Sequence, residues 1–325
     1  MPSSTVRTFT DPDDYASSIR ATSAALMLTD RGHFGAKLVR VDLHRVWMQQ
    51  LSESLPRIAY FSILPGRVSI AFSALPGRSV ISGGIEQDHA SIVLRKEAQE
   101  YFHRTSAASC NGALSLPMSE FDVIGTALAG RDLTIATPSV GRNPTPSALA
   151  RLRKLHEKVT HLAEFAPEII GDPESSRGLE QELISAMVGC IATGEPQADR
   201  SAARQHAKIM RKFRREVEER PNDAVYIPEL CTAIGTSERT LRVACHEQLG
   251  IGPKRYLLLR RMHLARRALS ESTPNETTVT EIATRYGFWQ LGRFAGEYKS
   301  LFGEAPSATL AAPERRSGLP HFRRN

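Results

Sequence analysis

Short apolar runs rich in β-branched and aromatic residues recur along the first 140 positions of the chain. Three clear examples cover residues 57–64, 68–75 and 91–96. The pairs that separate such runs contain glycine, and they are Pro65-Gly66, Pro76-Gly77 and Gly83-Gly84. Turn signals at a spacing of about ten residues are typical of β-sandwiches and barrels. We therefore predict a β-rich domain over residues 1–145.

The hydrophobic period changes to that of a helix beyond the run GRNPTP at residues 141–146. Apolar residues that step by three or four positions then form one stripe, consisting of Leu152, Leu155, Val159, Leu162, Ala166 and Ile169. Pro167 interrupts the stripe, so we expect the helix to kink or end there. A second amphipathic stretch covers residues 179–191.

These two helices form a predicted helical linker and dimerisation region over residues 146–195. The pattern leaves open whether they pack on the β-rich domain or on a second subunit, and we take the subunit seam as the prediction. Residues 193–203 are expected to be a linker, followed by helices up to Pro306.

The last third of the chain contains an internal repeat, and its two copies cover residues 227–248 and 279–301. A helix-turn-helix needs a small residue where its helices cross and favours glycine in its turn. Cys231 and Gly235 supply these residues in the first copy. Ala283 and Gly287 supply them in the second copy, each 52 positions later. The repeat therefore predicts two helix-turn-helix units.

A continuous helical pattern over residues 253–270 connects the two predicted units. Eighteen helical residues span roughly 27 Å. Successive major-groove faces on one side of DNA lie about 34 Å apart. A rigid connecting helix of this length could place the second helix of each unit in adjacent grooves.

Residues 206–310 resemble the DNA-binding domain of AraC/XylS-type transcriptional regulators. The matching residues are S-E-R-T-L at 237–241, L-G at 249–250, Pro253, Tyr256, E-I-A at 281–283, Y-G-F at 286–288, L-G-R-F at 291–294 and F-G-E-A-P-S at 302–307. Cys245 departs from the family, which usually carries Phe at this position.

The resemblance implies an α+β protein with two domains, an all-α C-terminal domain at residues 206–310 and a β-rich, cupin-like domain of jelly-roll type before it. It also implies that the cupin-like domain senses a small-molecule effector. The implied partners are double-stranded DNA at promoter or operator sites, RNA polymerase, and a second copy of the chain in a homodimer.

The distribution of charge agrees with a polyanionic partner for the last third. The whole chain has a formal net charge of +7. Residues 201–325 contain 22 Lys and Arg against 13 Asp and Glu, whereas residues 1–200 contain 20 against 22. A basic excess confined to one domain is what DNA binding favours, although a basic tail without a partner would produce the same balance.

The predicted DNA contacts of the first unit are Ser237, Arg239, Thr240, Arg242 and Val243. Ser237 is also a natural N-cap for the second helix of this unit. Arginine can donate two hydrogen bonds to guanine, so Arg239 and Arg242 are the candidates for base reading. The alternative is that one of them pairs with Glu238 or with a phosphate.

The predicted contacts of the second unit are Gln290, Gly292, Arg293 and Lys299. Gly292, Ala295 and Gly296 align with Arg239, Arg242 and Val243 of the first unit, and none of these three can donate a side-chain hydrogen bond to a base. We therefore predict that the second unit mainly binds the DNA backbone and responds to DNA shape. We expect Trp289 to be part of the core at the turn.

Two other functional classes compete with a regulator. A metal-dependent cupin enzyme fused to a DNA-binding module would need converging histidines, for which the candidates are His33, His44, His89 and His103. No pair of them has the H-x-H spacing of a cupin metal site, and we predict no enzyme, no metal and no cofactor. An architectural DNA binder would show little sequence preference and would need no 140-residue β-rich domain.

The remaining composition indicates a reduced, cytoplasmic location. The four cysteines form no CxxC pair and lie among apolar residues, which predicts buried thiols. The first residues lack the plan of a signal peptide, and no apolar run reaches the length of about 18 residues that a membrane helix needs.

Overall fold

A computed structural model of the chain describes residues 1–21, 23–62, 65–75, 79–96, 100–130, 133, 139–197, 201–220 and 225–312. The strands in chain order are β1 (Ser3–Phe9), β2 (Ser23–Leu28), β3 (Ala36–Asp42), β4 (Trp47–Glu53), β5 (Arg57–Ser62), β6 (Arg67–Ser73), β7 (Val80–Ser82), β8 (Ile85–Gln87), β9 (Ile92–Lys96), β10 (Glu100–Arg104), β11 (Ser109–Pro117), β12 (Ser139–Asn143) and β13 (Glu195–Pro196). The Pro76-Gly77 pair and residues 63–64 of the first predicted run lie outside the described residues.

The helices alternate with and then follow the strands. In chain order they are α1 (Pro12–Ser18), α2 (Met118–Ala129), α3 (Pro146–Phe165), α4 (Pro167–Gly171), α5 (Pro173–Thr193), α6 (Ser201–Glu218), α7 (Ile227–Ile234), α8 (Glu238–Leu249), α9 (Pro253–Glu271), α10 (Val279–Arg285), α11 (Leu291–Phe302) and α12 (Pro306–Ala311).

The strands form two antiparallel sheets, and the chain crosses repeatedly from one to the other. Sheet A has the order β1-β3-β4-β11-β6-β9-β12-β13, and sheet B has the order β2-β5-β10-β7-β8. Consecutive strands such as β4 and β5, or β9 and β10, therefore lie in different sheets, as in a jelly roll. The predicted fold class, a β-rich domain of this type followed by an all-α domain, is confirmed.

The Gly83-Gly84 pair forms a two-residue turn between β7 and β8, as the sequence predicts. Both glycines have positive φ values, 64° and 80°. Two positive φ values at the centre of a two-residue loop match the twist of the strands that it joins, and glycine adopts them without strain.

Sheet A lies between sheet B on one face and three helices on the other. Side chains on one face of sheet A point toward sheet B, because Glu53 of β4 binds Arg57 of β5 and Arg95 of β9 binds Ser82 of β7. The opposite face of sheet A packs against α2, α3 and α5 in one apolar cluster. Sheet A is therefore covered on both faces.

The apolar stripe of α3 belongs to that cluster, which corrects the expected subunit seam. Leu152 and Val159 are fully buried within the chain, against α5 and sheet A. Pro167 ends the helical stripe as expected, since α3 stops at Phe165 and α4 begins at Pro167. A homodimer contact through this region would have to use its exposed residues, such as Phe165 and Ile169, which are 70% and 39% exposed.

The outer face of sheet B packs against the C-terminal helices, so one apolar cluster extends from the sheet into the helical domain. Phe102 of β10 makes an edge contact with Tyr256 of α9, with ring centroids 6.1 Å apart. Helix α6 begins at Ser201, inside the expected linker, and packs on α8. The position of the helical domain is thereby tied to sheet B.

Candidate nucleic-acid interface

The first helix-turn-helix unit consists of α7 and α8, joined by a tight turn. Gly235 ends α7 with φ of 72°, and its N–H binds the carbonyl oxygen of Cys231 at 3.0 Å. Leu230, Leu241 and Cys245 fill the space between the helices, each no more than 1% exposed. The small residue, the glycine turn and the apolar packing are therefore all present where the sequence predicts them.

Cys245 fits this core although the family usually has a larger residue there. It is fully buried, and its sulfur lies 3.7 Å from the Met210 sulfur of α6. Burial raises the pKa of the Cys245 thiol to about 12, which keeps it protonated. Met210 of α6 thus packs directly against Cys245.

The second unit consists of α10 and α11 and repeats this skeleton. Thr278 and Glu281 form a capping box at the start of α10. Gly287 lies in the turn with φ of 77°. Ala283 and Phe294 are buried at the crossing of the helices, again as the repeat predicts.

Helix α9 connects the two units and is itself part of the core. Its 19 residues span about 28 Å at 1.5 Å per residue. Leu259, Met262 and Leu269 are each no more than 2% exposed along its inner face. A helix held in this way fixes the separation of the two units.

The predicted DNA-contacting residues of the first unit lie at the exposed start of α8. Ser237 caps the helix, since its hydroxyl oxygen accepts a hydrogen bond from the backbone N–H of Thr240 at 3.1 Å. Arg239 is exposed and joins none of the ion pairs found among the described residues. Arg242 donates to Glu238 at 2.7 Å, and Val243 is 47% exposed. The guanidinium of Arg239 therefore has fewer polar contacts among the described residues than the guanidinium of Arg242.

In the second unit the predicted residues also lie on the exposed side. Gln290 precedes α11 and makes no side-chain capping bond there. Arg293 donates to Glu297 at 2.8 Å, so its charge is already partly balanced. Gly292 and Lys299 are exposed. These residues are accessible to DNA. They include fewer side chains than the first unit that could donate a hydrogen bond to a base.

Trp289 is exposed, which corrects the expectation that it belongs to the core. Its side chain is 78% exposed, directly before α11. Phe288 fills the core position instead, with its ring 4.7 Å from that of Phe294. Because only one of two adjacent residues can point into the turn, Trp289 faces outward beside Gln290. The sequence contained both aromatic residues but no signal that ranked them.

Several arginines of α9 contact the protein itself. Arg266 is 4% exposed, and its guanidinium donates to the Asp11 carboxylate at 2.6 Å. Arg267 donates to Asp13 at the same distance. Both carboxylates belong to the start of α1 in the β-rich domain. These two arginines therefore join the helical domain to the β-rich domain.

The comparisons with known proteins include a family model for this part of the chain. A family model described as a helix-turn-helix domain matches residues 230–312. The "Probable thc operon regulatory protein" of Rhodococcus erythropolis is 44% identical over 84 residues, which are 26% of this chain and 25% of that protein. The "XylDLEGF operon transcriptional activator 2" of Pseudomonas putida is 37% identical over 95 residues, 29% of this chain and 60% of that protein.

A solved structure, "a probable AraC family transcriptional regulator from Rhodopseudomonas palustris", is 34% identical over 31% of this chain and 94% of that one, with a TM-score of 0.29. The chain belongs, through its C-terminal domain, to the AraC/XylS family. It spans between a quarter and three fifths of the length of the two curated relatives named above. Membership of the AraC/XylS family therefore rests on residues 230–312 and the segments beside them.

Proposed function

We propose that this protein is a sequence-specific DNA-binding regulator of transcription. One observation carries the proposal: two helix-turn-helix units are attached to a single helix, α9, whose inner face is buried, and each presents the start of its second helix to solvent. Helix N-termini and arginine side chains suit the phosphates and the base edges of a major groove. The names of the relatives, an operon regulatory protein and an operon activator, support the same proposal.

Within this proposal, the first unit supplies most of the base readout. Arg239 and Arg242 read bases, Val243 contacts a thymine methyl group, and Thr240 binds phosphate. In the second unit, Arg293 and Lys299 bind phosphates, whereas Gln290 reaches a base edge. Gly292 lets the DNA backbone come close to α11, because no side chain stands between them.

A selection from random DNA with the full chain tests the proposal. A regulator should favour its selected site over bulk DNA by roughly a thousandfold or more. The logarithm of affinity should fall with the logarithm of salt concentration by about 0.9 per neutralised phosphate. An architectural binder would instead select no motif, and a protein that binds DNA with no salt dependence would contradict the proposal.

The enzyme alternative has little support from the candidate histidines. The ring of His103 is buried and lies 2.6 Å from a nitrogen of Arg57, and the ring of His89 lies 3.2 Å from Arg153. Among the described residues, no group of three or more His, Cys, Asp or Glu side chains is arranged to hold a metal ion. Elemental analysis of the purified protein decides the point, since stoichiometric iron or zinc would support an enzyme.

The proposed regulator acts in the cytoplasm as a homodimer, responds to a small molecule and contacts RNA polymerase. No helix of the described residues has the length and apolar character needed to cross a membrane. The interior of the β-rich domain offers a place for the small molecule. Sedimentation of the full chain tests the assembly, and a monomer at tens of micromolar would contradict the homodimer.

A further inference from the structure

The second helix of each helix-turn-helix unit ends against the β-rich domain. Helices α8 and α11 each have 12 residues and end at a glycine in the left-handed conformation, Gly250 with φ of 69° and Gly303 with φ of 77°. A basic side chain of the β-rich domain lies against each glycine, Arg104 against Gly250 and His33 against Gly303. The starts of the two helices are therefore exposed, while their ends are covered.

The end of α8 fits two neighbouring points of sheet B. Arg104 is the last residue of β10, the central strand of that sheet. A β-carbon at Gly250 would overlap its guanidinium, so the glycine lets the cation lie directly on the backbone, where it is attracted to the last carbonyl groups of the helix. The Gln248 side chain, which is 1% exposed, lies against Gly84 in the turn between β7 and β8.

The end of α11 rests on the loop between β2 and β3, and this loop is itself held in place. The Ser54 hydroxyl donates to the His33 carbonyl oxygen at 3.4 Å and accepts a hydrogen bond from the Gly35 backbone N–H at 2.8 Å. A β-carbon at Gly303 would lie 3.2 Å from the His33 ring, which is closer than ordinary van der Waals contact. The loop therefore offers α11 a fixed point of contact.

The helix between the two units also contacts the β-rich domain. The His263 Nε2 of α9 lies 3.4 Å from the Leu28 carbonyl oxygen of β2, and Arg266 binds Asp11. The β-rich domain thus touches the helical domain at the end of α8, along α9 and at the end of α11. Contacts at three separate places resist rotation of either unit about α9.

The covered end of each helix determines where its exposed start lies. Twelve helical residues span about 18 Å. If such a helix pivots about its middle, a shift of about 2 Å at one end moves the other end by the same distance. Hydrogen bonds between N–H and oxygen keep their length within a range of only about 0.5 Å. A small displacement at Gly250 or Gly303 would therefore break contacts between the helix start and DNA.

We propose that the β-rich domain sets the relative orientation of the two helix-turn-helix units, with Arg104 and His33 as positioning residues for α8 and α11. Helix α9 fixes the separation of the units, and the β-rich domain fixes how they are turned toward the DNA. Units that are already aligned lose little free energy on binding. The inference rests on the proposed DNA-binding function and gives the β-rich domain a part in it that needs no small molecule.

A distance measurement between the units tests the proposal without DNA. Spin labels are attached to the full chain after Glu229→Cys in α7 and Arg285→Cys in α10, both at exposed positions. Cys110→Ser removes the accessible native thiol, because the other three cysteines are buried. Dilution with unlabelled chain restricts the measurement to distances within one chain. The distance distribution should be narrow, and Arg104→Ala combined with His33→Ala should broaden it about twofold.

The unlabelled variants are then tested on the selected DNA site. If the loosened units are aligned for about a tenth of the time, affinity should fall about tenfold. The salt slope should stay the same, since no phosphate contact is removed. Arg104→Lys, which keeps a positive charge at the end of α8, should retain more affinity than Arg104→Ala. The matched controls are His44→Ala, at an exposed histidine, and Arg151→Ala, at a surface ion pair with Glu182, and both should change neither width nor affinity.

Two results overturn the proposal. A distance distribution that the double variant leaves unchanged would show that α9 alone holds the units. A broader distribution with unchanged affinity would show that their orientation does not limit DNA binding. Urea unfolding checks that each variant is folded, and the single variants Arg104→Ala and His33→Ala replace the double variant if it is not. A wild-type chain that does not bind DNA would count against the proposed function, whereas the distances would still test the positioning of the units.

Discussion

The two helix-turn-helix units share a skeleton but present different surfaces. Both use a small residue at the crossing, a glycine with positive φ in the turn and buried apolar residues between the helices. The first unit presents Arg239 and Arg242 at the start of its exposed helix. The second presents Trp289 and Gln290 before a helix that begins with Leu291 and Gly292. Identical packing requirements therefore leave the exposed residues free to differ.

The units also differ in how they are attached. Helix α8 of the first unit contacts sheet B, where Gly84 lies directly against the side chain of Gln248. Helix α11 of the second unit is held mainly by its neighbours: Tyr298 hydrogen-bonds Thr309 of α12 at 2.8 Å, and the Phe302 ring lies 5.0 Å from the His263 ring of α9. The end of α11 also meets the β-rich domain, because Gly303 lies against His33, so the two units contact different parts of that domain.

The largest expected effect concerns the ion pair between Arg266 of α9 and Asp11 of the β-rich domain. Asp11→Ala removes a carboxylate from buried Arg266, and we expect it to lower the free energy of unfolding by about 2–3 kcal/mol. Asp13, 3.7 Å from the same guanidinium, limits the loss. Urea unfolding measures the effect, with the exposed Asp122→Ala as the control. An equal effect of the two substitutions would show that the ion pair does not hold the domains.

The same ion pair should make stability depend on pH. Burial raises the pKa of the Asp11 carboxyl, but Arg266 and the backbone N–H groups outweigh burial and hold it below its ordinary value of 3.8. The stabilisation is therefore complete above that value and is lost as the pH falls through the lower folded-state pKa. Asp11→Ala should flatten this acid limb of the stability curve.

The next effect concerns base reading by the first unit. Arg239→Ala should weaken binding to the selected site by about 1–3 kcal/mol and relax the preference at particular base pairs. Its guanidinium joins no ion pair among the described residues, so none of those carboxylates competes with the DNA. Repeating the selection with the variant measures the outcome. An unchanged motif would mean that the first unit does not carry the readout.

Substitution of Trp289 tests whether the second unit contacts DNA through this side chain. Trp289→Ala should weaken DNA binding by about 1 kcal/mol, because a large exposed ring would lose contact with the DNA. The chain has two tryptophans, so the variant Trp47→Phe leaves Trp289 as a single fluorophore. DNA should quench its emission, and emission that DNA leaves unchanged would place Trp289 outside the interface.

The smallest effect is expected at Arg293. Arg293→Ala should weaken binding by less than about 1 kcal/mol, evenly across sequences, and lower the salt slope by about one unit. Its ion pair with Glu297 already balances part of the charge. Affinities at several salt concentrations measure the slope. A loss of affinity that depends on the DNA sequence would show that Arg293 reads bases. It would contradict the prediction that the first unit carries most of the base readout.

Periodicity along the chain predicted much of the fold. The Gly83-Gly84 turn, the end of the stripe at Pro167 and both helix-turn-helix units follow from residues close to one another in the sequence. Helix α2 was missed within a region expected to consist mainly of strands, because its apolar residues occur in a short segment without a clear helical stripe. Among the candidate contacts, Arg239 lies exposed at the helix start, as expected from its distance to the Ser237 cap.

The sequence by itself determined the two helix-turn-helix units, because their turns and packing positions are set by short-range spacing. Only the tertiary structure decided which of Phe288 and Trp289 enters the core, and that the α3 stripe packs within its own chain. It also decided that Arg266 meets Asp11, 255 positions away. Such pairings depend on which distant segments the fold brings together, and local periodicity contains no information about them.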